Sequence, residues 1–472
     1  MAVLGFESTS ALLVYVSFLF FGMSLMLTAN SIYSLYGYST EFYRLAQGDP
    51  NATTSDPDFW KNIYTYYNVV LFSLQLSTEL FMLTPLGRRI PLRLRLALGF
   101  SLSFVQLLSY MMVTTFHTSE SGAKCVFLFS AFVNGIEKSL CGSSTVALAG
   151  PFPTKFFAAV ILGIPFSGVI TGILSVTVKA SMDGDFHSLL HQSYIYFSIA
   201  MVFQSVTCVL LYLLPRNPYA LRYAAEFRYA ARGNPVECEE QTEKKEANGA
   251  PDSRPAKGPA DDYCDDAQPY NTAKNVLDTS IDPDTMKDTD QVENTTSAEQ
   301  MLKAEVWVVI KRIYPVLSTC FFVYFTTVLF FPGVFISVDY KGWNHWYGTA
   351  VMVVFNLGDF VSCMFLQFKR NHPSPKAVII GSFARLLIAV PLFLCQRRII
   401  EGHAAKALSC VLSLLWGMTN GFCGGMMLIY GPRTASLTTA GQRSLAGICN
   451  NVSLLVGLFA GSAAAIGLSK TL

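Results

Sequence analysis

Residues 346–368 read WYGTAVMVVFNLGDFVSCMFLQF, a run of 23 residues with one side chain of the charged types, Asp359. That is long enough to cross a bilayer as a helix, which takes about 20 apolar residues. In hydrocarbon no water satisfies the backbone, so the run should be helical. A carboxyl placed there is costly and marks a functional position by default. Runs of the same kind recur at 12–37, 62–86, 92–116, 123–149, 155–178, 193–214, 306–338, 376–396, 404–431 and 445–468. Eleven spans are therefore expected.

Composition agrees. The chain has 472 residues, 52% hydrophobic and only 14% charged, with a mean hydropathy of +0.39. Soluble domains carry roughly 25% charge, so a cytosolic enzyme, a nucleic-acid binder and a disordered scaffold are excluded. The charge is also uneven. Residues 233–300 hold 17 Asp/Glu against 6 Lys/Arg, a net of −11, and the remainder holds 28 Lys/Arg against 15 Asp/Glu, a net of +13. The acidic, Pro/Gly/Asn-rich insert buries too little apolar surface to offset its ordering entropy and reads as disordered. The expected organisation is a six-helix half over 1–216, a cytoplasmic loop over 217–305 that is acidic from about 233, and a five-helix half over 306–472.

Orientation follows the positive charges. Arg88, Arg89, Arg93 and Arg95 follow span two; Arg216, Arg222, Arg228 and Arg232 follow span six; Lys369, Arg370 and Lys376 follow span eight. These clusters share one side, expected to be cytoplasmic, with the N-terminus inside and the C-terminus outside. Arg397, Arg398 and Lys406 fall on the other side. The sequon Asn51-Ala-Thr lies in a loop expected outside and is a glycosylation site; that at Asn294 lies inside. The first apolar run has no preceding Lys or Arg and reads as a retained span. Asn217 to Arg232 has helical spacing of basic residues and tyrosines, giving either a helix on the inner membrane surface or a tail of span six. Nine of the eleven cysteines lie in apolar runs without metal-ligand spacing and read as buried free thiols.

Glu79 in span two, Glu137 and Lys138 in span four, Asp359 in span eight and Arg385 in span nine are ionisable groups within spans. Each is either functional or part of an interhelical pair. Glu137 and Lys138 diverge by about 100° on a helix and need not pair; Glu79 with Lys138 is one option. Gly417, Gly421 and Gly425, Gly168 and Gly172, and Gly457 and Gly461 are spaced by four, which lets helices approach closely. Pro165, Pro315, Pro332 and Pro391 lie in or beside spans, where a break frees backbone groups to line a cavity. No phosphate-binding GxxxxGK[ST] loop, metal-ligand set or nucleophile elbow occurs. Such a chain is a secondary transporter or facilitator and uses no cofactor.

Asn356-Leu-Gly-Asp359 resembles the NxxDxxxR signature of the equilibrative nucleoside transporters. Arg385-Leu-Leu-Ile-Ala-Val-Pro391 resembles the span-nine motif of that family, Thr419-Asn420-Gly421 the opening of its span-ten motif, and Gly150-Pro-Phe-Pro-Thr-Lys155 with Gly163 and Gly168 the start of its span five. The resemblance covers nearly the whole chain apart from the insert, whose wording is similar to kinetoplastid purine transporters. It implies an all-α bundle like that of the major facilitator superfamily, moving purines by alternating access with the substrate near the midplane. It also implies a plasma-membrane location and a pocket using Met23 and Leu27 of span one, Glu137 of span four, and Asn356 and Asp359 of span eight. Arg385 and Asn420 would brace the second half, and Lys138, Gly163 and Gly168 are read as structural or gating positions.

Two departures bear on the substrate. Four residues after Asp359, Cys363 stands where the family has arginine. In the family this pair holds ribose hydroxyls; a thiol offers no fork of donors and no balancing charge, so Asp359 must find another cation or none. Glu137 occupies a position where relatives have a glutamine that contacts purine, and an ionised carboxylate accepts only, favouring a ring N–H. Free bases offer an N–H at the nitrogen that nucleosides use for the glycosidic bond. Both departures favour nucleobases (hypoxanthine, adenine, guanine) over nucleosides. Glu79, Glu137 and Asp359 are also candidate proton carriers. The competing readings are a purine nucleoside transporter, a transporter of an unrelated cationic solute drawn to Asp359, and a transport-dead purine sensor. No nucleic-acid partner is expected.

Overall fold

A computed structural model describes residues 6–224, 227, 301–331, 335 and 346–471, apart from 7, 36–37, 40, 62, 182–185, 369, 371, 398 and 401. The whole acidic insert (233–300), with both of its cysteines and Asn294, and Pro332 lie outside the described residues. The long helices are α1 (Thr9–Ser34), α2 (Ile63–Leu83), α3 (Leu92–Phe116), α4 (Glu120–Ala149), α5 (Thr154–Ser181) and α6 (Phe186–Leu213). After the insert come α7 (Val306–Phe330), α8 (Trp346–Phe365), α9 (Pro375–Ala384, then a 3₁₀ turn Arg385–Ile388 and a helix Ala389–Gln396), α10 (Gly402–Thr419, a π turn Asn420–Gly424, then Gly425–Tyr430) and α11 (Ala440–Thr471).

Ten of these helices are long and apolar enough to cross a membrane. The exception is α2, whose 21 residues suffice in length but include Asn68, Gln75, Glu79 and several tyrosines. Its polar groups point inward: Glu79 and Gln75 are buried, while Leu80, Phe81 and Val69 are exposed. The nine described cysteines are free.

Helix packing follows the small residues. A methyl placed on Gly163 would overlap the Leu19 carbonyl, joining α5 to α1, and one on Gly417 would overlap the Phe355 carbonyl, joining α10 to α8. Overpacking of this kind costs about 1–3 kcal/mol. Gly417→Ala should therefore lower the melting temperature of the detergent-solubilised protein by several degrees. Gly381→Ala, where the nearest atom is Cys423 Sγ at 4.0 Å, should not. Equal melting of the two variants would contradict this packing. Pro165 and Pro315 sit inside continuous helices. Pro391 follows the 3₁₀ turn of α9, which loosens the backbone at the carbonyl four residues before it, where a proline ring clashes in a regular helix.

The first six and last five helices meet along α5–α8 and along α2 and α4 against α11. At the end that bears Arg88 and Arg95 they are tied by hydrogen bonds. Tyr15 donates to Gln367 Oε1 at 3.0 Å, Gln367 to the Ala158 carbonyl at 2.8 Å, Arg433 to the Phe152 carbonyl at 2.7 Å, and Ser444 to the Ala147 carbonyl at 3.1 Å. At that same end Asn217 caps a short helix, Pro218–Tyr223, and donates to the Ser10 carbonyl at 2.9 Å. Tyr219 of this helix packs on Phe156 rather than facing outward; the rest of the stretch to Arg232 lies almost wholly outside the described residues. At the opposite end an aromatic cluster of Tyr38, Phe42, Trp60, Tyr110 and Phe127 is clasped by Glu120. Its carboxylate accepts from Trp60 Nε1 at 3.0 Å, Thr54 Oγ1 at 2.6 Å and Ser55 N at 3.0 Å. This fixes the loop that carries Asn51, which is exposed.

Candidate functional site

In the last five helices the ionisable groups are joined in series. Asp359 on α8 is 9% exposed, and its Oδ1 accepts from Asn420 Nδ2 at 2.9 Å. Asn420 Oδ1 accepts from the Thr327 hydroxyl at 2.7 Å. Arg385 donates from Nη2 to Thr327 Oγ1 at 2.9 Å and from Nη1 to the Val323 carbonyl at 3.1 Å, and its guanidinium lies 4.3 Å over the Trp416 ring. Irregular backbone makes this possible. The π turn Asn420–Gly424 carries the Asn420 amide to α8, and the 3₁₀ turn starting at Arg385 turns its side chain to α7. π turns inside α-helices are frequent at functional sites.

Among the described residues the hydrogen-bonded link from Arg385 to Asp359 runs through Thr327 and Asn420. Among the described residues no cation lies within 4.0 Å of the Asp359 carboxylate. Cys363, one turn on, is buried, and its thiol donates to the Gly421 carbonyl at 3.6 Å. Tyr324 of α7 brings its hydroxyl against Gly424 in the same π turn. One turn before Asp359, the Asn356 amide donates to the Gly168 carbonyl at 3.4 Å across the α5–α8 seam, and a methyl on Gly168 would occupy the space of that amide.

In the first six helices the groups point apart. Glu137 is fully buried, and neither carboxylate oxygen has a hydrogen-bond partner among the described residues. Its helix face meets α3, where Gly99 lies against the Glu137 carbonyl. Lys138 turns to α1 instead and places Nζ 3.2 Å from Met26 Sδ. Glu79 does not meet Lys138. Its Oε2 accepts from the Ser139 hydroxyl at 2.6 Å, because Ser139 rather than Lys138 faces α2. Met23 is buried, and its backbone lies against Gly163, while Leu27 joins the aromatic cluster. Among the described residues no hydrogen bond links Asn356 or Asp359 to Met23, Glu137 or Lys138.

One buried network escaped the reading of single charged residues. Gln106 Nε2 donates to Tyr67 OH at 3.1 Å and to Ser130 Oγ at 3.0 Å. Ser130 donates to Tyr110 OH at 2.7 Å, and Asn134 Nδ2 donates to Gln106 Oε1 at 3.0 Å and to Tyr67 OH at 3.1 Å. The signal was present as polar stripes at helical spacing: Ser103, Gln106 and Tyr110 on α3, and Ser130, Asn134 and Glu137 on α4.

The profile of the Nucleoside transporter family matches residues 128–468, most of the chain and all but the last three residues of the second group of helices. Nucleoside transporter 2 of Crithidia fasciculata is 39% identical over 490 residues, covering 99% of this chain and 96% of that protein. The chain belongs to the nucleoside transporter family. Nucleoside transporter 2 of Leishmania donovani is likewise 39% identical, over 99% of this chain and 96% of its own length. Among solved structures, the proton:xylose symporter XylE matches with a TM-score of 0.57 at 15% identity, over 98% of this chain and 88% of that one. At that identity the likeness shows the fold, that of the major facilitator superfamily. The chain is thus a multi-pass membrane protein, helical throughout its described spans, whose relatives are transporters.

Proposed function

We propose that this chain moves purines across a membrane by alternating access and favours free nucleobases (hypoxanthine, adenine, guanine) over nucleosides. The observation that carries the preference is the setting of Asp359. Its signature partner is replaced by Cys363, whose thiol is spent on the Gly421 carbonyl, and Arg385 is committed to Thr327 and Val323. Among the described residues no guanidinium stands beside the carboxylate to hold a ribose diol in a fork of hydrogen bonds. Asn356 and Asp359 are the substrate contacts in the second half, with Met23 and Leu27 opposite. Glu137 acts from behind the α4 surface, and Glu79 and Cys363 complete the set. Arg385, Asn420, Gly163 and Gly168 hold the geometry.

The nucleoside reading is favoured by the names of the relatives, Nucleoside transporter 2 in both. The test uses purified protein in liposomes and labelled hypoxanthine and inosine, with and without an imposed proton gradient at clamped potential. Hypoxanthine entry ahead of inosine supports the proposal, and inosine entry ahead of hypoxanthine overturns the preference. If none of the purines enters, transport itself is overturned. Faster entry with the gradient places a proton in the cycle, carried by one of the buried carboxyls; equal entry makes the protein a facilitator.

In this reading α2 is the eleventh crossing, residues 217–305 are a cytoplasmic tether between the halves, and the protein sits in the plasma membrane with its N-terminus inside. Asn51 then faces outward. Asn51→Gln should give a band of the mobility that the wild type shows after N-glycosidase treatment. If the wild type is insensitive to the glycosidase, the orientation is reversed or the loop is unmodified, and this topology fails.

A further inference from the structure

We infer that Arg433 and Arg443, where α10 turns into α11, form a binding site for a phosphate group, and that the bound anion steadies the closed end of the bundle there. On the orientation proposed above, that end is cytoplasmic. The inference goes beyond the purine reading and stands without it.

Residues 431–444 read GPRTASLTTAGQRS, with two arginines and no Asp or Glu. The turn they close on, between α4 and α5, reads AGPFPT over 149–154 and has no charged side chain. Both arginines are buried all the same: Arg433 is 5% exposed and Arg443 8%. Both lie against the α4–α5 turn. Arg433 donates from Nη2 to the Phe152 carbonyl at 2.7 Å. The Arg443 backbone lies 3.8 Å from the place of a methyl on Gly150, and its neighbour Ser444 donates to the Ala147 carbonyl at 3.1 Å.

A guanidinium has five donors in a fixed fork. Among the described residues the Arg433 guanidinium spends one, on Phe152, and its buried Nε has no partner. No carboxylate oxygen lies within 4.0 Å of it among those residues. Burial, and after it the charge of Arg443, draws Arg433 below the usual arginine range, to about 9. Like charges withdrawn from water side by side oppose each other. The Phe152 carbonyl accepts a hydrogen bond but brings no charge to balance them, and an uncompensated buried charge is costly.

The missing partner is therefore an anion with several acceptors. A phosphate group carries close to two negative charges and three strong acceptor oxygens, and arginine forks pair with it bidentately. It can balance both guanidiniums, where a carboxylate balances one. The Arg433 bond to Phe152 crosses from the last five helices to the first six, and opening this end must part it. An anion that relieves the repulsion favours the state in which the end is shut. A soluble phosphate compound and the headgroup of an anionic phospholipid both carry the group.

The test is thermal unfolding of the purified full chain in detergent, as wild type, Arg443→Gln and Arg443→Lys, at fixed ionic strength. One arm adds rising inorganic pyrophosphate, which has no base to enter a purine pocket. The other adds micelles doped with phosphatidate. The wild type should melt several degrees higher along a saturating curve, since a ligand of the folded state stabilises it by mass action. Arg443→Gln should raise the half-saturating concentration by roughly tenfold or more, the worth of a charged hydrogen bond. Arg443→Lys keeps the charge but not the fork and should fall between the two. Saturation by pyrophosphate makes the ligand a soluble anion, and saturation by phosphatidate alone makes it a lipid headgroup; either supports the site. A rise without saturation in both arms is the general effect of an excluded salt and overturns the inference. So does an unchanged half-saturation in Arg443→Gln. A wild type that does not respond overturns it as well, and that result needs no variant to fold.

Discussion

Arg385→Met should remove most folded protein from the membrane, and adding Asp359→Asn to it should bring much of that protein back. Arg385 is 2% exposed and is fixed by the Val323 carbonyl, the Thr327 hydroxyl and the Trp416 ring. Removing the guanidinium leaves the Val323 carbonyl and the Thr327 hydroxyl short of a buried donor, which costs about 1–3 kcal/mol, and takes away the charge that balances Asp359 through Thr327 and Asn420. Loss of the desolvated ring contact adds up to about 2 kcal/mol. Whole domains are stable by roughly 5–15 kcal/mol, so the single change takes much of the margin. In the double variant no charge is stranded, and the new amide oxygen on α8 can still accept from Asn420. The measurement is the level and melting temperature of fluorescently tagged protein by size-exclusion chromatography. The single variant should be depleted, the double variant should be recovered, and uptake should stay low in both. The single variant lacks folded protein, and the double variant lacks the Asp359 carboxylate as a substrate contact. A single variant that melts like the wild type, or a double variant no better than the single, would contradict the linkage through Asn420 and Thr327.

Cys363→Arg should raise inosine uptake relative to hypoxanthine uptake by roughly ten- to hundredfold, the worth of about 1–3 kcal/mol of added polar contact. Residue 363 lies one turn beyond Asp359, at the spacing where helical side chains meet. An arginine there can return to the carboxylate and present its remaining donors to the ribose. The site is tight: Cys363 is 3% exposed and packs against Gly421 and Leu366. The larger side chain should cost about 1–3 kcal/mol of stability and lower the amount of protein. The ratio of the two solutes cancels that loss, so it is the quantity to read.

The bundle was legible because lipid leaves the backbone no alternative to the helix, and so apolar length alone reports most crossings. It was least legible at α2, where Asn68, Gln75 and Glu79 dilute the apolar signal. Single charges were legible too. Asp359 and Arg385 stand out because no other charged side chain lies in the interior of their spans, and the divergence of Glu137 from Lys138 follows from helical geometry. The partners were not legible. Glu79 bonds Ser139 rather than Lys138, and the link from Asp359 to Arg385 runs through Asn420 and the neutral Thr327. Such pairings depend on how helices are rotated against each other, which no local pattern states. The π turn at Asn420–Gly424 has no spelling of its own beyond a glycine-rich stretch, and without it the Asn420 amide would face elsewhere.

The central claim is that the setting of Asp359 suits a base and not a riboside. It is tested most directly by the initial uptake of labelled hypoxanthine and labelled inosine, side by side, in cells lacking purine transporters. The wild type and Cys363→Arg would be compared at equal surface amounts. The account predicts hypoxanthine uptake with little inosine uptake in the wild type, and inosine uptake gained in Cys363→Arg. Inosine uptake in the wild type that matches or exceeds that of hypoxanthine would mean another residue holds the sugar, and the reading built on Cys363 would be wrong.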